Sequence, residues 1–159
     1  MISQALAADY RGLIARSQSV AIATCSEHGE AEASYAPFLE YENTYYVYVS
    51  QLAKHTGNML RQGQASIMFI EPEADAANPF ARQRVVFNCK VSELDKQHPL
   101  YDQLLDALQN RFGETVAVLR ALPDFHLLAL TPLRGQYVAG FGKALVINAD
   151  NGELLPPSQ

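Results

Sequence analysis

The 159 residues predict a mixed fold of mainly β character with helices (α+β): a small closed or half-closed antiparallel barrel of about seven strands, its ends plugged by three or four helices. Three observations carry this reading. Short β-branched and aromatic runs recur at hairpin spacing, two long stretches instead place apolar residues at helical spacing, and neither a repeat nor a linker divides the chain. A content of 48% hydrophobic and 18% charged residues fits one domain over residues 1–159 with a core large enough to stand alone. It excludes disordered, collagenous and disulfide-scaffold classes.

The N-terminal segment 1–17 reads as a helix because Ile2, Leu6, Tyr10, Leu13 and Ile14 share a face, away from Asp9, Arg11 and Arg16. Val20–Cys25, Ala33–Tyr41 and Thr44–Ser50 follow as strands, punctuated by His28-Gly29 and Glu42-Asn43 as antiparallel hairpins require. Residues 53–62 carry helix formers and end at Gly63, and Ala65–Ile70 returns to strand. Glu71–Arg82, polar and alanine-rich with Pro72 and Pro79, is expected to be a surface loop leading into a strand over Val85–Val91. The stripe Leu100, Leu104, Leu105, Leu108 and Phe112 predicts a second long helix from Pro99, and Thr115–Leu122 a shorter one. Phe125–Thr131 and Gln136–Ile147 are expected as the last strands, and 152–159 as a tail.

A net charge of −5 with 12 Lys+Arg offers no electrostatic footprint for nucleic acid. Cys25 and Cys89 are far apart in strand-like runs, which excludes a CxxC zinc or redox motif. The N-terminus has no signal-peptide pattern and no apolar run reaches the roughly 18 residues that span a bilayer, so no membrane partner and a cytoplasmic location are expected.

Gly140-Phe141-Gly142-Lys143 lacks the following helix that a dinucleotide or Walker loop needs, and reads instead as a glycine-bent strand able to approach a flat ligand. The histidines His28, His55, His98 and His126 show no metal-cage spacing. His55 has distinctive company. Ser50, Lys54, His55, Thr56 and Asn58 gather hydroxyl, cation and amide groups where a strand feeds a helix, a junction suited to an anionic group or, equally, to helix capping. Arg82 and Arg84 alternate onto one strand face and could fork onto phosphate or carboxylate, or form a solvated edge. Arg134, Tyr137 and Phe141 add a cation and two aromatic surfaces, and Asp124 occupies a cap or turn position. Ser50 lacks the nucleophile-elbow context that hydrolysis would require.

The segments YVYVSQLAKHTGNM, ANPFARQRVVFNCKV, DFHLLAL and LRGQYVAGFGKA together resemble the pyridoxamine-phosphate-oxidase-like FMN-binding split β-barrel family, and within it the haem-utilisation (HugZ/HutZ-type) branch. The resemblance implies a split β-barrel of six to seven antiparallel strands and a homodimer with two equivalent ligand sites at its interface. In flavin-binding members the FMN phosphate is held at positions matching Ser50, His55-Thr56 and a place near Arg84. Here His55-Thr56 replaces an Arg-Lys pair, and Ser34 and Pro37 stand where those members carry an arginine. In the haem branch a histidine matching His55 and an aspartate matching Asp124 interact across the dimer interface, and an arginine matching Arg84 lies by the pocket. Iron is held there by a histidine in a C-terminal extension that Pro156-Pro157-Ser158-Gln159 does not supply, so that either the native ligand is missing from this chain, His126 or another group substitutes, or the protein binds something else.

The expectation is a haem-binding protein of haem-iron utilisation, with oxidative cleavage of the porphyrin as its candidate activity. His55 and Asp124 are the candidate catalytic residues; Ser50, Lys54, Thr56, Asn58, Arg82, Arg84, Tyr137 and Phe141 are the candidate cofactor ligands. FMN with oxidoreductase chemistry is the alternative, and a non-catalytic haem or flavin carrier the third reading. A planar anion asks for similar groups in each case.

Overall fold

The computed structural model describes residues 2–157, so positions 1, 158 and 159 of the expected helix and tail lie outside the described residues. Helix α1 (Gln4–Arg16) starts at Ser3, whose hydroxyl accepts from the Leu6 N–H at 3.2 Å, and it buries Tyr10, Leu13 and Ile14. Strands β1 (Ser19–Cys25) and β2 (Ala31–Pro37) form a hairpin, as do β3 (Leu39–Tyr41) and β4 (Thr44–Ser50). The second hairpin turns through Glu42 and Asn43, both left-handed (φ 49° and 60°), as a two-residue turn between right-twisted strands demands. Helix α2 (Lys54–Gln62) ends at left-handed Gly63 and hands over to β5 (Gln64–Ile70). The 71–83 loop holds two single 3₁₀ turns before β6 (Arg84–Leu94). Helices α3 (Tyr101–Phe112) and α4 (Glu114–Arg120) then lead to β7 (Phe125–Val138), β8 (Ala144–Ile147) and β9 (Leu154–Leu155).

All pairings are antiparallel, in the order β2-β1-β5-β6-β7-β4-β3, with β8 continuing from β7 and β9 from β8. The sheet curls until β2 approaches β4, giving the half-barrel of a split-barrel fold. Its inner face, with Ile22, Phe38, Val47, Ile67, Phe69, Val85 and Leu130, is closed by α1 and by Met59 of α2. Part of its outer face, formed by Tyr46, Leu94, Leu127 and Ala129, is covered by Leu104, Leu105 and Leu108 of α3 and by Val116 of α4. Burying a leucine of this kind contributes roughly 1.5–3 kcal/mol.

Four expectations change. The strand expected over Ala33–Tyr41 divides at Phe38 into β2 and β3, and the glycine-bent strand expected at Gly140-Phe141-Gly142-Lys143 is instead the turn between β7 and β8. The break predicted between Thr131 and Gln136 does not occur; β7 runs through it, and the register shift beside Asn88 and Cys89 leaves Leu133 as an extra residue opposite β6. Gly135 permits this, because a Cβ there would stand 2.7 Å from the Phe87 ring and 2.9 Å from Ile147. The expected tail also differs, since Leu154–Leu155 pairs with β8, and Tyr10 donates its hydroxyl hydrogen to the Gly152 carbonyl.

Candidate functional site

The end of β4 and the start of β7 are paired through Ser50 and Phe125, which brings Asp124 beside the turn that opens α2. The Ser50 hydroxyl donates to Asp124 Oδ2 at 3.2 Å and accepts the Leu52 N–H at 3.1 Å, while the Gln51 N–H donates to the Asp124 carbonyl at 2.7 Å. Thr56 donates to the Ser50 carbonyl at 2.6 Å. Four hydrogen bonds thus lock the strand-to-helix turn. Thr56 is 1% exposed, and Asn58, 4% exposed, donates to Thr24 Oγ1 at 3.0 Å and to Glu32 at 2.8 Å. Lys54 is exposed, with its amine 3.7 Å from Glu32.

His55 leaves this scaffold on its own. The first turn of α2 directs it to β2, where Nδ1 lies 2.7 Å from the Ser34 hydroxyl, and that hydroxyl donates to the Ile22 carbonyl at 3.3 Å. Burial holds its imidazole below the ordinary histidine pKa, so the neutral form is favoured. With Thr24, Glu32, Ala33, Ser34, Tyr35, Ala53 and Lys54 it lines an open cleft of about 340 Å³ at the edge of the sheet.

A second feature lies on the outer face that α3 and α4 leave uncovered. Register places Ala33 and Tyr35, Ala21 and Ala23, Ser66, Met68 and Ile70, Val86, Val138 and Val146 side by side on it. Arg84 and Arg134 stand on this face, Asn88, Leu133 and Arg134 line two shallow clefts upon it, and no strand residue there is acidic. Among the described residues neither guanidinium has an ion-pair or hydrogen-bond partner.

The other residues singled out from the sequence are dispersed. Arg82 precedes β6 rather than sharing a face with Arg84, and its guanidinium grips the Glu71 carbonyl at 2.9 and 2.6 Å, tying down the 71–83 loop. Tyr137 points inward instead of offering a ring to a flat ligand: it is 1% exposed, packs on Tyr10, and donates to Gln83 at 2.8 Å. Burial pushes its hydroxyl up to about 12. Phe141 sits at the β7–β8 turn, 66% exposed. His126 is held between Glu93 at 2.5 Å and Gln51 at 3.3 Å. Within one chain Arg84 faces outward while His55 meets the inward-facing Ser34, with β5 and β1 between their strands. The sequence reading gave no anchoring role to Ser34; inward alternation along β2 was the signal for it.

Residues 6–139 match the sequence model of the pyridoxamine 5′-phosphate oxidase family. The haem oxygenase HutZ of Vibrio cholerae is 36% identical over 134 residues, which is 84% of this chain and 76% of HutZ. A crystal structure of HutZ, there described as the haem storage protein of V. cholerae, superposes with a TM-score of 0.79 at 32% identity, over 85% of this chain and 94% of that one. ChuZ of Campylobacter jejuni superposes with a TM-score of 0.87 at 29% identity over 99% of this chain, which spans 64% of ChuZ.

Proposed function

The chain belongs to the pyridoxamine 5′-phosphate oxidase family, and from that premise we propose that it binds haem at the interface of a homodimer and serves haem-iron utilisation. The observation that carries this reading is the uncovered apolar face with its unpartnered Arg84 and Arg134. An apolar face of that extent asks for a covering surface. A guanidinium carried into a subunit interface then asks for an anion, because a buried charge without a partner is costly. Haem answers both needs, with an apolar macrocycle and two propionates.

The residues present fit that ligand. Arg84 and Arg134 would pair with propionates in the forked geometry of guanidinium and carboxylate. Phe141, exposed at its turn, would lie along the macrocycle, and Lys54 is free enough of its turn to reach an anionic group. Ser50 and Asp124 hold the opening of α2, and through it set the direction of His55. Thr56 and Asn58 act from beneath, as buried supports of that helix. Bound haem would supply the oxygen chemistry, and the chain supplies binding, orientation and exclusion of water.

The names carried by the relatives divide between oxygenase and storage protein, and both activities share the binding step. Supplying ascorbate and oxygen to the loaded protein separates them: loss of the Soret band with appearance of a linear tetrapyrrole marks turnover, and a stable spectrum marks a carrier. A second reading, FMN, has one observation in its favour. Helix α2 opens at Ala53 with no side-chain cap and carries Lys54 in its first turn, as a phosphate site would.

Arg84→Ala tests the haem reading. Loss of a charged hydrogen bond in a half-buried site should weaken hemin binding about tenfold or more. Unchanged affinity would remove Arg84 from the site.

A further inference from the structure

The mouth of the half-barrel, on the inner side of the sheet and away from the face that carries Arg84 and Arg134, holds a cavity of about 70 Å³. Helix α1 supplies Arg11 to its wall, the β3–β4 hairpin supplies Glu40, Asn43 and Tyr45, and the β8–β9 turn supplies Asn148 and Gly152. At roughly 10–15 Å³ for each water-sized occupant, the space takes about five or six non-hydrogen atoms. Alternation decides what faces it. Glu40 pairs with Tyr45 across the hairpin, on the side opposite Leu39 and Tyr46, which pack with α3.

The polar groups around this cavity lack their usual partners. Tyr45 is 4% exposed, yet among the described residues its hydroxyl makes no hydrogen bond, while every fully enclosed side-chain nitrogen or oxygen has a partner. That hydroxyl therefore opens onto space, and the cavity is the space that Tyr45 lines. Burial, and after it the Glu40 carboxylate, push the hydroxyl above its usual range, so Glu40 stands near it. Glu40 itself has no ion pair or hydrogen bond among the described residues, and burial raises its carboxyl above the usual carboxylate value against the pull of Arg11 and Arg111. Across from it, Arg11 lies 5.6 Å from the centre of the Tyr10 ring and gives the Gly152 carbonyl one long bond of 3.4 Å, which leaves its other N–H groups free. The Asn148 side-chain carbonyl accepts the Asp150 N–H at 2.9 Å, so its amide hydrogens are also available.

A small cavity with a few convergent polar groups is the form of a small-molecule site. A lone anion in this one would face Glu40, and a lone cation would face Arg11; a molecule with both charges a few ångströms apart meets a complement to each. We propose that the mouth binds a small zwitterion of the α-amino-acid type, the size of glycine or alanine, with its carboxylate on Arg11 and the Asn148 amide and its ammonium between Glu40 and the Tyr45 hydroxyl. The site does not depend on what occupies the outer face.

Titration of the isotope-labelled wild type with glycine and with alanine, followed through its amide NMR signals, tests this. Saturable shifts at Asn43, Asn148 and Gly152 are expected, at one ligand per chain and with a Kd on the order of millimolar or tighter. Acetate and methylammonium, each with one of the two charges, should bind at least about tenfold more weakly than glycine. Arg11→Gln and Glu40→Gln should each lower the affinity for glycine about tenfold or more, and Tyr45→Phe, which keeps the buried ring, about threefold to tenfold. Should a charge variant misfold, the wild-type shifts and the acetate comparison decide without it. Absence of saturable shifts at these three amides in millimolar glycine and alanine overturns the proposal. So does acetate binding as tightly as glycine, which would make the mouth an anion site, or an affinity for glycine that neither folded charge variant changes.

Discussion

His55 and the two cysteines show how far a residue's chemistry follows from its surroundings. Burial favours the neutral imidazole of His55, so its folded pKa lies below the value of 6.5 that it regains on unfolding. A depressed histidine contributes stability above the unfolded value, and loses it as the pH falls through that value toward the folded one. Between about pH 7.5 and about pH 5.5 the ligand-free wild type should therefore lose more thermal stability than His55→Asn does. Parallel melting curves for the two proteins would contradict the burial of the imidazole. Cys89 is 2% exposed and burial pushes its thiol up to about 12, whereas Cys25 is half-buried on the uncovered face. A thiol reagent should reach Cys89 only after denaturation; prompt labelling of Cys89 in the native protein would contradict the core as described.

At the scale of elements, strand alternation and helical stripes were enough to locate most of the fold, while contacts between distant strands were not. The YYVYV run of β4 and the leucine stripe of α3 each announce themselves within a few residues. Gly135 does not. Its lack of a side chain is needed because Phe87 and Ile147, from other strands, meet over it, so a glycine that reads locally as an interruption is what lets β7 continue. Gly135→Ala should destabilise the protein by on the order of 1–3 kcal/mol, the cost of overpacking a core, measured by urea unfolding. A change within error would mean the strands can part there freely. Tyr137 illustrates the converse: its neighbours Gly140 and Phe141 suggested a ligand surface, yet alternation from exposed Gln136 turns the tyrosine inward. For the candidate site, Ser50, Lys54, Thr56 and Asn58 were legible as a group because they crowd the short stretch where β4 ends and α2 begins. Arg82 is drawn away from Arg84 by the carbonyl of Glu71, eleven residues before it, which no local pattern reveals.

The whole molecule carries a signal that the strands held in plain view. SVAIATC, QASIMFI and RVVFNCKV carry apolar residues on both alternating faces at their centres (Ala21 and Ile22, Ile67 and Met68, Val85 and Val86), which is the pattern of strands covered on both faces. One chain covers the outer face only as far as α3 and α4 reach. A second copy of the chain, laid across Met68, Val86 and Val138, is the covering surface that the proposed dimer requires. Val86→Glu, placed in the middle of that face, should leave the fold intact and convert a dimer to a monomer in light scattering after gel filtration. A wild type that is monomeric at micromolar concentration, or a Val86→Glu variant that remains dimeric, would contradict the use of this face.

The central claim is that the ligand of this chain is haem, and a spectrophotometric titration of the purified wild type with hemin, run beside one with FMN, tests it most directly. A saturable Soret shift at one haem per chain, with FMN binding far more weakly, is the predicted result. Tight FMN binding with only diffuse uptake of hemin would contradict it and make the flavin reading the account of this site.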